Sequence, residues 1–319
     1  MKRRPLGRSD LSIAPLVLGG NVFGWTANRD AAFLTLDTFL DAGFNAVDTA
    51  DVYSNWVAGH VGGESETVIG EWLRARGGRD RVVLCTKAGA RTPEGEGLSA
   101  DHLVRSLEGS LRRLNTDYVD LYQSHVDDRT TPLDETLEAF DRLLRAGKVR
   151  AIGASHYGAA RLNEALAISA ARGVARYDSL QPRYNLHDRA EFEGPVQDAC
   201  VAGDVGVLAY SALAKGFLTG KFRSGAASVG SPYEERLNTY RDARGVRILA
   251  ALDRVAEVHA ATPAEVALTW LVAQPGVVAA ITAFDTADQL KEVIGFPRLT
   301  LAASEIETLS AAGALETCP

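Results

Sequence analysis

Cysteine is scarce in this chain of 319 residues: Cys85, Cys200 and Cys318 lie far apart, in no metal-ligand spacing, and an odd number of thiols supports no disulfide framework. That usage fits a reducing compartment, and the chain is expected to be cytoplasmic. Basic clusters are equally rare. No run is longer than Lys2-Arg3-Arg4 and the formal net charge is -7, which argues against a surface for nucleic acid or for an anionic membrane. No apolar run approaches the length that crosses a bilayer, and Arg3, Arg4, Pro5 and Ser9 precede any apolar stretch, so neither a membrane span nor a secretory leader is expected. None of the six histidines forms a His-x-His pair, so a metal-dependent hydrolase finds no ligand cluster and no metal is expected. Small molecules are left as the expected partners.

What the chain does have is apolar residue in quantity, 46% of the total, enough for one large α/β domain or two small ones. Short apolar runs end near Gly20, Asp48, Lys87, Ser124, Ala154, Arg183, Tyr210 and Ile281, giving eight candidate strands. Between them lie stretches with apolar residues at helical spacing, such as Ala31 to Leu40, Glu66 to Leu73, Ala100 to Leu114 and Leu133 to Leu144. Strand then helix, repeated at intervals of roughly 30 to 40 residues, is what parallel strands with crossover helices require, and eight such units close a barrel. The long interval from Tyr210 to Ile281 exceeds one unit. It holds Lys215 to Lys221, a polar segment from Ser224 to Asn238 and two helical patterns, Arg247 to His259 and Pro263 to Val272, which reads as an inserted loop with an extra helix after the seventh strand. A doubly wound open sheet competes, but it calls for a glycine-rich turn after the first strand, and none follows Leu18-Gly19-Gly20. Gly95-Glu96-Gly97-Leu98-Ser99-Ala100 fits the loose pattern only by chance: it follows Thr92-Pro93-Glu94, not a strand, and Glu96 would repel a pyrophosphate.

Enzymes on such barrels place their working groups at the C-terminal strand ends. The second strand, in Phe44-Asn45-Ala46-Val47-Asp48, ends in a carboxylate, and Tyr53 follows five residues later. The third runs into Lys87 and the fourth, Tyr118 to Ser124, into His125. Four such groups in one pocket have a chemistry. An ammonium beside a buried carboxylate and a phenol is expected to lower the phenol's pKa and make Tyr53 a proton donor and acceptor near neutral pH, with His125 orienting a carbonyl oxygen. The same residues suit a structural Lys87–Asp48 ion pair and a histidine that only bonds backbone, and at this level both readings stand.

The succession Asp48-Thr49-Ala50-Asp51-Val52-Tyr53, Thr86-Lys87 and Asp120-Leu121-Tyr122-Gln123-Ser124-His125 resembles the aldo-keto reductases, whose Asp, Tyr, Lys and His tetrad comes in that order. The resemblance extends over nearly the whole chain, through Leu18 to Trp25, Gly62 to Thr67, Gly147 to Ser155 and Ala209 to Lys221. It implies an α/β fold, a (β/α)8 TIM barrel of residues 1–319 as a single domain, with an N-terminal β-hairpin over Lys2 to Ile13. It also implies a nicotinamide dinucleotide bound without a Rossmann turn, and reduction of an aldehyde or ketone. Carried over by position, Tyr53 is the general acid, Asp48 and Lys87 tune it and His125 holds the carbonyl. Ser155 and Gln181 fall on the carboxamide contacts, Tyr210 on the aromatic that stacks on the nicotinamide, and Ser211, Leu213, Gly216 and Lys221 on the pyrophosphate loop. Where the family has Ser-Asn after the fifth strand, this chain has Ser155-His156.

A second departure bears on the cofactor. The family's segment after the eighth strand holds the adenosine phosphate with small or basic residues, but this chain reads Ile281-Thr282-Ala283-Phe284-Asp285-Thr286. A carboxylate at Asp285 would repel the phosphate of NADP and accept hydrogen bonds from the free ribose hydroxyls of NAD. Asp288, Gln289 and Glu292 follow and are expected beside the adenine. The family's habit places NADP(H) narrowly ahead, with Lys221 or Arg223 available to compensate, and Asp285 keeps NAD(H) open. Trp25, Tyr53, Trp56 and His125, with Val57 and His60 at the margin, are expected to line an aromatic cleft for the carbonyl substrate. A different class of function shares this barrel in potassium-channel β subunits, which keep the cofactor but act as regulatory partners. The short segment before the hairpin is expected to argue against it. Association with further copies of the chain stays open.

Overall fold

Eight short parallel strands close into a barrel, and a small antiparallel hairpin precedes them. The computed structural model describes residues 1–223 and 233–314; Cys318 and residues 224–232 of the polar segment lie outside the described residues. The hairpin pairs β1 (Arg4–Pro5) with β2 (Ser12–Ile13). The barrel strands are β3 (Leu16–Gly19), β4 (Ala46–Asp48), β5 (Val83–Ala88), β6 (Val119–Ser124), β7 (Val149–Ser155), β8 (Tyr177–Gln181), β9 (Gly206–Ala209) and β10 (Val277–Thr282), each beside its sequence neighbour, with β10 closing onto β3. The expected hairpin and (β/α)8 barrel are thus both present. The seventh and sixth barrel strands stop a little earlier than expected because Pro182 has no N–H to give, although Arg183 and Tyr210 still meet as an isolated bridge.

Between strands run α1 (Arg29–Asp41), α2 (Glu64–Arg76), α3 (Ala100–Leu114), α4 (Leu133–Arg145), α5 (Ala159–Arg172) and α6 (Pro195–Gly203). The interval after β9 holds a 3-10 turn at Ala214–Thr219, α7 (Glu234–Asn238), α8 (Ala243–His259) and α9 (Pro263–Val272), and after β10 come α10 (Ala287–Lys291) and α11 (Ala303–Ala312). Local chemistry sets these boundaries. Asn28 caps α1 by accepting from Ala31 N, Thr262 and Glu265 form a reciprocal capping box at the start of α9 with Pro263 inside it, and α3 stops where Asn115 turns left-handed. In α3, Leu103, Leu107, Leu111 and Leu114 recur at helical spacing and are buried against the barrel. No helix among the described residues is long and apolar enough to cross a membrane.

The barrel's interior is layered by the two-residue period of its strands. The lower layer is apolar: Val17, Ala46, Cys85, Leu121, Ala151, Leu208 and Ala279 share one buried cluster with Leu6, Leu11 and Ile13 of the hairpin, which form the floor. Two residues further along four of these strands the side chains change character to Asp48, Lys87, Gln123 and, on β7, Gly153; Gln181 ends β8. The C-terminal mouth is where the polar residues gather.

Candidate active site

Lys87 and Asp48 are almost entirely enclosed, with side chains 1% and 2% exposed, so their charges must be satisfied inside the barrel. They are. Lys87 Nζ donates to Asp48 Oδ2 at 2.6 Å, to the Thr49 carbonyl at 2.7 Å and to the Tyr53 hydroxyl at 2.9 Å, three acceptors for three N–H bonds. The chain beyond β4 stays laddered to β5, through Thr49 N to Cys85 O at 2.9 Å and Asp51 N to Lys87 O at 3.1 Å, before Tyr53 folds back over the mouth. Because the Tyr53 oxygen accepts from Lys87 and its own proton reaches Asp48 Oδ2 only at 3.5 Å, that proton is loosely engaged and free for a third partner. His125 follows β6, anchored by its N–H to Ala88 O at 2.8 Å, and its ring meets that of Tyr53 edge-on at 5.9 Å between centroids.

The electrostatics correct one expectation. Burial pushes the Tyr53 phenol up, to about 12; Lys87 pulls it down, but the Asp48 carboxylate opposes that pull, so the expected lowering does not occur. The phenol is therefore stored protonated. Burial also works against the Lys87 charge, yet the touching Asp48 carboxylate and Tyr53 outweigh it and hold the ammonium above its ordinary pKa. His125 is held well below the usual imidazole range by burial, then by Lys87 and His156, and its Nδ1 is buried without a partner. A neutral ring beside a protonated phenol gives two hydrogen-bond donors to one oxygen.

Behind this triad, Asp48 Oδ1 accepts from Gln181 Nε2 at 2.9 Å and from Gln123 Nε2 at 3.2 Å. Ser155 Oγ donates to the Gln181 carbonyl at 2.8 Å, and the Tyr210 ring stands 5.7 Å from that of His156. His156 adopts a left-handed φ of 61°, a conformation that asparagine and histidine take more readily than most residues. The loop after β9 strings further left-handed residues together: Ser211, Ala214, Lys215 and Gly216 have φ of 58°, 49°, 58° and 91°. Within this loop the Ala214 and Gly216 N–H groups are already bonded to the Ser211 and Leu213 carbonyls at 2.8 and 2.9 Å, so Gly216 has no backbone donor to spare for the expected pyrophosphate, whereas among the described residues no backbone acceptor within the loop engages the N–H groups of Ser211 and Leu213. At the far rim, Lys221 Nζ pairs with Glu292 at 2.6 Å, Gln289 Oε1 accepts from Asp285 N at 2.9 Å, and Asp285 accepts from the Thr26 hydroxyl. From the barrel mouth to α10, the residues present fit an extended dinucleotide.

Trp25 and Trp56 meet edge-on at 5.6 Å, and Trp56 lies 6.0 Å from the Tyr53 ring, so both expected tryptophans stand at the mouth. Tyr233 joins them, 5.6 Å from Trp25. Nothing in the sequence marks Tyr233, whose polar flanks disguise a half-buried ring. His60 goes elsewhere: it lines a cavity of about 730 Å3 with Asp51, Gly63, Thr92 and Arg113, which none of Tyr53, Lys87 and His125 lines. Gln123 and Thr49 also join the site without being singled out by the sequence. An inward-facing glutamine two residues after Leu121 was the available signal for the first; a backbone carbonyl gives none.

The model of the aldo/keto reductase family matches residues 15–314. "Uncharacterized oxidoreductase YrpG" of Bacillus subtilis is 36% identical over 307 residues, covering 93% of this chain and 91% of the relative. "Aldo-keto reductase YhdN" of the same organism is 30% identical over 275 residues, covering 84% and 78%. "Probable voltage-gated potassium channel subunit beta" of Oryza sativa is 31% identical over 303 residues, covering 92% and 90%.

Proposed function

The chain belongs to the aldo/keto reductase family, and on that premise we propose that it reduces a small aldehyde or ketone to the alcohol, with residues 1–319 working as one barrel domain and Tyr53 as the general acid. A bound nicotinamide dinucleotide supplies the hydride. The observation that carries the reading is the Tyr53 hydroxyl, which accepts from Lys87 at 2.9 Å and keeps its own proton available beside a neutral His125. As the carbonyl carbon gains hydride, the oxygen gains charge; Tyr53 and His125 donate to it, the Tyr53 proton crosses to it, and Lys87 balances the phenolate left behind. Solvent then returns the proton to Tyr53. Trp25, Trp56 and Tyr233 give the substrate an aromatic surround that limits water at the reacting carbon.

The charge at the far rim supports a reading of the cofactor preference. The two cations able to offset Asp285 are both occupied: Lys221 by Glu292, and Arg223 by Asp253 at 2.5 Å. With that compensation withdrawn, Asp285 favours NAD(H) over the narrowly preferred NADP(H) of the sequence reading.

Tyr53→Phe tests the acid. Carbonyl reduction should fall by about a thousandfold or more, with NADH binding within about threefold of the parent by fluorescence titration; retained turnover would remove Tyr53 from the role. Tight cofactor binding by the parent with no turnover of any aldehyde would instead support the regulatory reading.

A further inference from the structure

Gln123 lies on β6 with no exposed surface, in register with Lys87 on β5 and with Gly153 on β7. A buried amide must satisfy both of its ends, and both of these ends fall inside the site. The Asp48 carboxylate can only accept, so whatever faces Oδ1 must donate, which turns the Nε2 of both glutamines toward it. Gln123 Oε1 is then left to accept from Gln181 Nε2, at 3.3 Å. Room for this arrangement comes from β7: a Cβ added at Gly153 would stand 3.1 Å from Gln123 Cγ and 2.1 Å from Ser179 Oγ.

We infer that Gln123 is a positioning residue. It holds Asp48 in the rotation that delivers Oδ2 to Lys87 and Tyr53, and it fixes Gln181 with Nε2 inward, leaving Gln181 Oε1 as the acceptor for the cofactor's carboxamide. The inference rests on the reductase reading. Gln123 touches no substrate, since it is fully enclosed, so its removal acts on the rate of proton delivery and not on capture of the carbonyl. Of ionisable groups, its amide hydrogen-bonds Asp48, while Lys87 is its register partner on β5.

The test is Gln123→Met, which keeps length and volume but neither donates nor accepts strongly. A donor to a charged group is removed, so kcat should fall about tenfold while KM for the carbonyl stays within about twofold. The double variant with Gln181→Met should lose no more than about threefold beyond Gln181→Met alone, because both amides serve the same oxygen. NADH should bind about threefold more weakly to Gln123→Met by fluorescence titration. An unchanged kcat, or fully additive losses, overturns the inference. Should Gln123→Met fail to fold, as judged by its circular dichroism melt, Gln123→Asn withdraws the amide by one methylene and is held to the same outcomes. If the parent reduces no carbonyl, the reductase reading falls on its own, and NADH binding decides: weakened binding in Gln123→Met supports the positioning role and unchanged binding overturns it.

Discussion

Replacing Asp48 by Asn exchanges one oxygen for an amide and leaves the shape of the site intact, so its effect isolates the charge. Two losses follow. Lys87, 1% exposed, keeps its burial but loses the counter-charge 2.6 Å away. If the one oxygen left on the new side chain turns to Lys87, its NH2 group must face Gln181 Nε2 and Gln123 Nε2, a donor against donors where Oδ1 accepted from both. Breaking one side of a buried pair costs about 3–5 kcal/mol. For 319 residues unfolding together, the unfolding entropy is about 0.7 kcal/mol/K, so Tm at pH 7 should drop by roughly 4–8 °C. The pH dependence makes the test specific. In the parent, Lys87 has a folded pKa above its unfolded value, so its contribution is complete at every pH below about 10.4 and adds no slope between pH 6 and 9. In Asp48→Asn burial acts unopposed by a carboxylate and the folded pKa falls below the unfolded one. The unfolded chain then binds a proton that the folded chain lacks, and stability rises with pH. The Tm deficit measured by circular dichroism should therefore narrow from pH 7 to pH 10. A deficit under about 1 °C at pH 7, or one that stays constant or widens toward pH 10, would refute the reasoning.

Asp285→Ser should raise the ratio of kcat/KM for NADPH over NADH by about tenfold, and an unchanged ratio would place Asp285 away from the ribose. Asp51 is 6% exposed and its carboxyl is pushed up to about 8, first by burial and then by Glu66. Its folded pKa lies above the unfolded one, so stability that it supports at pH 4 is lost as pH climbs toward 8; Asp51→Asn should gain on the parent over that range, and parallel Tm curves would count against it. Gly153→Ala should destabilise by about 1–3 kcal/mol through the clash with Ser179 Oγ, and Ser179→Ala in the same chain should recover most of it; no recovery would mean that the strain lies elsewhere.

The barrel was legible because its signal is repetitive. Apolar runs like Val277 to Ile281 are buried on both faces and so read continuously, and helices such as Ala100–Leu114 keep one apolar face throughout. Asp48, Lys87 and His125 were legible for a related reason: each interrupts such a run at its end, where an ionisable group needs an explanation. The Tyr53 pKa was not, because its direction is set first by burial and then by the balance of Lys87 against Asp48, and a run of residue types states neither how deeply the ring is enclosed nor how close those charges stand. Tyr233 and the Thr26 to Asp285 contact join residues more than two hundred apart through loops that carry no period. His60, expected at the margin of the cleft, stands close to Tyr53 in sequence, but the part of its loop from His60 to Glu64 lines a different cavity, and sequence distance does not tell the two sides of a loop apart.

The hairpin carries none of the chemistry, yet it sets the medium in which the chemistry occurs. Leu6, Leu11 and Ile13 seal the base of the barrel, held there partly by Arg4 Nη1 on the Val272 and Val277 carbonyls at 2.6 and 2.9 Å. They act as an electrical insulator. Water admitted from below would raise the local dielectric under Lys87, and the attraction across 2.6 Å that now fixes its charge would shrink several-fold. The hairpin thus helps to hold a charge that lies at the opposite end of the barrel.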